Sequence, residues 1–254
     1  MIILLSSSKR LSFNGPTEIK YGEEPYFIKD SKKLIRLMKK FNERDLTNLM
    51  SISHKLAEIN YLWFQEWDHP FDMDKARPAF ASFTGDVYDG IKSWELSPTQ
   101  VEIADSKIRI LSGLYGVLRP TDIILPYRLE MGTQLKSRDF INLYDFWRIK
   151  LTNYLIKELR PFQKKVIVNL ASIEYSKALN FHNMDSTVVT PFFLEFINGD
   201  YKFISINAKR ARGRMIRYII DKNIDDVENL KLFDYDGYSF DDQQSINNRW
   251  VFTR

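Results

Sequence analysis

The densest run of charge in the chain lies between Ala208 and Ile220, where Lys209, Arg210, Arg212, Arg214 and Arg217 occur with no acid among them. Guanidinium and ammonium groups so concentrated suit the binding of a polyanion. On a helical projection, Ala208, Ala211, Met215, Tyr218 and Ile219 form an apolar face, and Arg210, Arg214 and Arg217 form a separate stripe at i, i+4 and i+7. The stripe reads equally as a solvated helix face. Lys209 and Arg212 fall outside it. Arg212 sits at the edge of the apolar face beside Ile219, where a guanidinium needs an acid, a carbonyl or a ligand anion.

Four further groups could carry chemistry. Arg109 to Pro120 contains Gly113 and Gly116, then Arg119. Glycines allow close backbone approach, and bare N–H groups at a helix entry form an anion site. Gly113-Leu114-Tyr115-Gly116 is therefore expected either as a helix-hairpin-helix-like turn facing a phosphate or as a plain glycine turn. Its glycines are three apart instead of the usual two, and Pro120 limits a second helix. Pro126 to Gly132 holds Tyr127, Arg128 and Glu130, a fixed polar loop or an internal ion pair. Gly85-Asp86-Val87-Tyr88 is the third group. In the fourth, Asn169 to Ser172 leads into Glu174, Tyr175 and Lys177, where a buried strand gives way to a helix. Strand ends in α/β sheets are common ligand sites. Lys9, just past the first strand, is placed to join them.

These groups must be held by a mixed α+β fold. Met1 to Leu5 and Val166 to Leu170 read as buried strands, Thr187 to Phe196 and Tyr201 to Asn207 as a hairpin about Asn198-Gly199-Asp200, and Tyr238 to Phe240 and Trp250 to Phe252 as short strands. Helices are expected over Ser31 to Phe41, over Leu46 to Trp67 with an internal cap at Ser53, and from Ser97-Pro98 toward Ile108 or Leu111. A capped helix is expected near Asp225 to Leu232. Residues 14–30, with Gly15, Pro16, Gly22 and Pro25, read as an extended loop. Strands from both chain ends sharing one sheet imply one interwoven domain over 1–254, with a large helical insertion at roughly 30–160.

Composition narrows the function classes. The 254 residues contain no cysteine, which removes disulfides, thiolate metal sites and cysteine nucleophiles and fits a reducing compartment. The apolar start is too short for a signal peptide and nothing approaches a membrane span, so a cytoplasmic protein with no membrane partner is expected. Net charge is +4; without the five cations of the basic segment, the remaining basic residues and the 33 acids nearly cancel. His54, His69 and His182 lack metal-ligand spacing, so no metal or cofactor is expected. Asp234, Asp236, Asp241 and Asp242 read as a solvated acidic region.

The stretches LLSSSK, LMSISHKLAEIN, FTGDVYDG, LSGLYGVLRPTD, PYRLEMG, LYDFW, VIVNLAS with EYSK, and AKRARGRM with RYII are long and unusual. In them the sequence resembles the peroxide-stress protein YaaA family over nearly its whole length. One departure is Ser7, which stands where the family has a proline, and a looser turn before Lys9 is expected. The resemblance implies an unusual mixed fold with a helix-hairpin-helix-like element, a positively charged cleft, double-stranded DNA binding, and protection from hydrogen peroxide linked to lower free iron.

Three functions are weighed on this basis. A DNA-binding stress protein would hold the phosphates of duplex or distorted DNA with Lys9, Gly113, Gly116, Arg119, Arg128, Lys177, Lys209, Arg212 and Arg217, without needing an obligate protein partner. Tyr88, Tyr115, Tyr127 and Tyr175 would stack on unpaired bases or pack in the core. An enzyme acting on a nucleotide or nucleobase would use Asp86, Glu130 and Glu174 as acid–base groups in the same cleft. Direct iron sequestration is disfavoured by the ligand inventory.

Overall fold

The computed structural model describes residues 1–14 and 17–254. Gly15 and Pro16, part of the expected loop, lie outside the described residues. A mixed sheet forms the centre. Its strands are β1 (Ile2–Ser6), β2 (Ile108–Ser112), β3 (Gly116–Leu118), β4 (Val166–Asn169), β5 (Thr187–Ile197), β6 (Asp200–Lys202), β7 (Ser239–Ile246) and β8 (Arg249–Thr253). The order across the sheet is β7-β8-β5-β4-β1-β2-β3, with β6 paired to β5. The inner pairs β2/β1, β1/β4, β4/β5 and β5/β8 are parallel, and the hairpins β2/β3, β5/β6 and β7/β8 are antiparallel. Strands from both chain ends thus share one sheet, as their patterns required.

The centre of that sheet is apolar because it is covered on both faces. Ile3 and Leu4 of β1 are fully buried, and Leu4 pairs with Arg109 on one side and Asn169 on the other. The same physics corrects one expectation. The helix starting at Ser97-Pro98 stops at Lys107, and Ile108 to Ser112 is strand β2. A strand buried on both faces shows no alternation, so its apolar residues extend the helical pattern without a visible break. The insertion at 30–160 therefore contributes two strands to the sheet and is not wholly helical.

The α-helices of six or more residues are α1 (Ile28–Met38), α2 (Glu43–Met50), α3 (His54–Glu66), α4 (Asp86–Ile91), α5 (Pro98–Lys107), α6 (Leu143–Leu159) and α7 (Ser205–Asp221). Ser53 caps α3 by accepting a hydrogen bond from the Leu56 N–H, and Ser97 forms a capping box with Gln100 on α5. α1 starts three residues before Ser31 and stops at Met38. The Asn198-Gly199 turn forms as expected, with positive φ at both residues. Its second strand is shorter than the pattern suggested, ending at Lys202 before α7 begins at Ser205. The segment near Asp225 is a 3-10 helix, Val227–Leu232, capped by Asp226. Among the described residues no helix is long and apolar enough to cross a membrane.

Two glycines set the crossing of α4 and α7. A Cβ on Gly213 of α7 would sit 1.9 Å from the Val87 carbonyl oxygen of α4, and one on Gly90 would sit 2.4 Å from the Arg210 carbonyl oxygen. With no side chain at either position the two backbones touch. This contact locks the basic helix against Asp86 to Ile91.

Candidate anion cleft

The chain leaving β1 reaches β2 on one side, whereas the chain leaving β4 reaches β5 on the other. The C-terminal ends of β1 and β4 therefore flank a reversal of strand order, the usual ligand crevice of such sheets. Here Ser172 N–H donates to the Ser6 hydroxyl at 2.9 Å, and the Ser6 hydroxyl donates to that of Ser172 at 3.4 Å. The Tyr88 hydroxyl donates to the Ser6 carbonyl at 3.0 Å, tying α4 to the same point. A cleft of about 440 Å³ opens above it.

The expected looseness before Lys9 is not found. Ser7 is buried and donates to the Tyr175 hydroxyl at 3.3 Å. The Ser8 hydroxyl donates to the Thr84 carbonyl at 2.5 Å and accepts from Arg10 N–H at 3.0 Å. Side-chain hydrogen bonds thus replace the stiffness a proline would give. They fix Lys9 and Arg10 at the rim.

Lys9, Arg10, Lys209 and Arg212 line the cleft together with Asp86 and Glu174. Lys209 lies 3.9 Å from Asp86. Glu174 accepts a hydrogen bond from Gly132 N–H at 3.0 Å, which holds its carboxylate in place. Lys9 is ion-paired with Glu130, which also takes Arg128 at 2.9 Å. Arg212 differs from the ion-paired Lys9 and Lys209, and it differs from Arg10, which also has no acid among the described residues, in being less exposed. Its guanidinium is partly buried, and among the described residues it has no acid or hydrogen-bond acceptor. Desolvation without a compensating carboxylate lowers its pKa from the ordinary arginine value.

The stripe of the basic helix has the opposite fate. Arg214 pairs with Asp236 at 3.2 Å and lies over the Tyr235 ring, Arg210 lies 3.9 Å from Asp236, and Arg217 binds Asp221 at 2.8 Å and Glu95 at 3.4 Å. Asp236 thus serves as a counter-charge, where the sequence suggested only a solvated acidic region.

Other candidates fall outside the cleft lining. Arg119 lies 3.7 Å from Glu158 and lines a separate cavity of about 540 Å³ that includes Ile2, at the opposite end of β1. Lys177 is exposed just after the helical turn Ile173–Ser176. Arg128 reaches the cleft only through Glu130. Gly113 and Gly116 join the strands β2 and β3, not two helices, so the helix-hairpin-helix expectation is corrected. The Gly113 carbonyl accepts from the Trp147 indole at 2.9 Å, and a Cβ on Gly116, at φ 73°, would strike the Trp147 ring. Both glycines serve close packing in the core.

The four tyrosines are buried, although Tyr88 and Tyr175 contribute to the cleft wall. Tyr115 accepts from Trp67 at 3.0 Å and from Leu125 N–H at 3.1 Å, and Tyr127 lies 2.7 Å from the Ser112 hydroxyl. Burial pushes the Tyr127 phenol up to about 12 and raises those of Tyr88, Tyr115 and Tyr175. They remain protonated near neutrality, and none is open for base stacking. His54 pairs with Glu58 and His69 with Glu24. Among the described residues no three or more His, Asp or Glu side chains are grouped to hold a metal.

Sequence reasoning missed Ser6, Ser7, Ser8 and Arg10 as site residues, although it had singled out the segment ending at Ser172. A run of three serines directly after a fully apolar strand was the available signal. It also missed the Gly90/Gly213 contact that aims Lys209 and Arg212.

The model of one family, described as peroxide stress protein YaaA, matches residues 1–244. A UPF0246 protein of Aliivibrio fischeri (strain ATCC 700601 / ES114) is 43% identical over 254 residues, covering 100% of this chain and 98% of the relative. UPF0246 proteins of Hahella chejuensis (strain KCTC 2396) and Dechloromonas aromatica (strain RCB) are 42% and 41% identical, each over 100% of this chain and 99% of the relative. The chain belongs to the peroxide stress protein YaaA family.

Proposed function

We propose that this member of a peroxide-stress family acts as a cytoplasmic DNA-binding protein, seating the phosphates of duplex or distorted DNA at the cleft rimmed by Lys9, Arg10, Lys209 and Arg212. The observation that carries the reading is Arg212, a desolvated guanidinium with no acid among the described residues, facing a cleft with three more cations. A phosphate supplies the missing counter-charge and accepts guanidinium hydrogen bonds. Cover of this kind at DNA would help limit damage driven by free iron.

Fluorescence anisotropy of a labelled duplex at rising salt tests the reading. If the four cations each engage a phosphate, the slope of log affinity against log salt approaches about −3.6. Arg212→Gln should reduce its magnitude by about 1. A flat salt response would sink the proposal.

A second reading, an enzyme acting on a nucleotide or nucleobase, is supported by Asp86 and Glu174 lining the same cleft as the cations. Turnover that is lost in Glu174→Gln would favour it over passive binding.

A further inference from the structure

The charge inventory of the cleft sharpens what it can hold. Lys9, Arg10, Lys209 and Arg212 face Asp86 and Glu174, an excess of two positive charges. Adding the adjoining Glu130 and Arg128 leaves that excess unchanged, because the two cancel. A phosphodiester inside a strand carries one negative charge. A phosphate monoester carries about −1.5 to −2 at neutral pH and exposes three acceptor oxygens.

Shape points the same way. A volume of about 440 Å³ falls within the range of roughly 300–1,000 Å³ typical of small-molecule sites. It admits a nucleotide-sized group but not the cross-section of a duplex. Arg212 is recessed beside the α4–α7 contact, so an anion must enter the cleft to meet it. An internal phosphate is flanked by chain on both sides. A terminal phosphate is tethered on one side only and can reach deeper.

We propose that the cleft is a site for a nucleoside phosphate monoester, presented either by a phosphorylated DNA strand end or by a free mononucleotide. The strand-end form rests on the DNA-binding reading; the mononucleotide form does not. Oxidative scission of a DNA strand leaves phosphate monoester ends, so such a site suits a peroxide-stress protein.

The test compares three labelled duplexes of one sequence at fixed salt: intact, nicked with hydroxyls on both sides, and nicked with a terminal phosphate. Thymidine 5′-monophosphate serves as competitor and as calorimetric titrant, with thymidine as its control. The phosphorylated nick should bind at least about 10-fold more tightly than the hydroxyl nick, with thymidine monophosphate competing and thymidine not. Arg212→Gln should erase the preference. Lys209→Gln, at an exposed position whose replacement leaves the core untouched, should weaken it. Equal binding of all three duplexes with no competition by thymidine monophosphate would overturn the monoester site while leaving DNA binding intact. A preference that survives in a folded Arg212→Gln variant would overturn it too. Stoichiometric, Arg212-dependent binding of thymidine monophosphate without DNA binding would support the site, name the free mononucleotide as its ligand, and sink the DNA reading.

Discussion

Replacing Arg212 by methionine should make the protein more stable and less able to bind phosphate. The guanidinium is partly stripped of water and has no partner among the described residues. A buried charged group left unsatisfied costs about 1–3 kcal/mol or more. Partial exposure of Arg212 places the cost at the low end, about 1 kcal/mol. Methionine keeps an apolar stem of similar reach, so the packing that the arginine methylenes supply is retained. In a chain of this length, 1 kcal/mol shifts the melting temperature by about 2–4 °C. In chloride buffer the variant should therefore melt about 2–4 °C above the wild type. Inorganic phosphate at ten times its Kd should stabilise the wild type by about 1.4 kcal/mol and leave the variant nearly unmoved, closing or reversing the gap. Differential scanning fluorimetry in matched chloride and phosphate buffers of equal ionic strength reads both effects. A variant that melts below the wild type in chloride would show that the guanidinium is satisfied. Equal phosphate stabilisation of both proteins would show that the anion binds elsewhere.

Three other substitutions test other parts of the structure. Gly213→Ala forces a Cβ to 1.9 Å from the Val87 carbonyl, backbone against backbone, so overpacking near the top of its usual range of about 1–3 kcal/mol should outweigh the ~1 kcal/mol alanine gains in a helix. Urea unfolding should show a lower midpoint with an unchanged m, and a higher midpoint would dispose of the tight crossing. Burial raises Asp122 from 3.8 to about 7, which corresponds to ~4 kcal/mol. Because the folded state holds that proton more tightly, wild-type stability should fall as pH rises from about 4 to 7. Asp122→Asn, which can still accept from Arg119 N–H, should flatten that dependence in chemical denaturation across the range. Under passive DNA binding, Glu130→Gln should raise affinity for DNA by removing a negative charge that Lys9 and Arg128 now share. Weaker binding in anisotropy would show that Glu130 is needed to position Lys9.

Features encoded within a few residues were legible in the sequence. Ser53 and Ser97 announce their helices because a cap needs only its own side chain and the next turn. Asn198-Gly199 announces its hairpin because the turn needs two residues that tolerate positive φ. Lys9, Lys209 and Arg212, which come from two separate family motifs, line one cleft. Strand β2 was hidden because burial on both faces removes the alternation that marks a strand. The Gly113–Gly116 turn admits two readings in one dimension, because a glycine needed beneath Trp147 looks like a glycine needed beside a phosphate. Only the tertiary structure decided which cations are free to bind. Arg214 finds Asp236, Arg217 finds Asp221 and Glu95, and Arg212, on the same helix, finds no acid among the described residues. The sequence supplies each charge, but pairing and desolvation depend on groups brought together from distant parts of the chain.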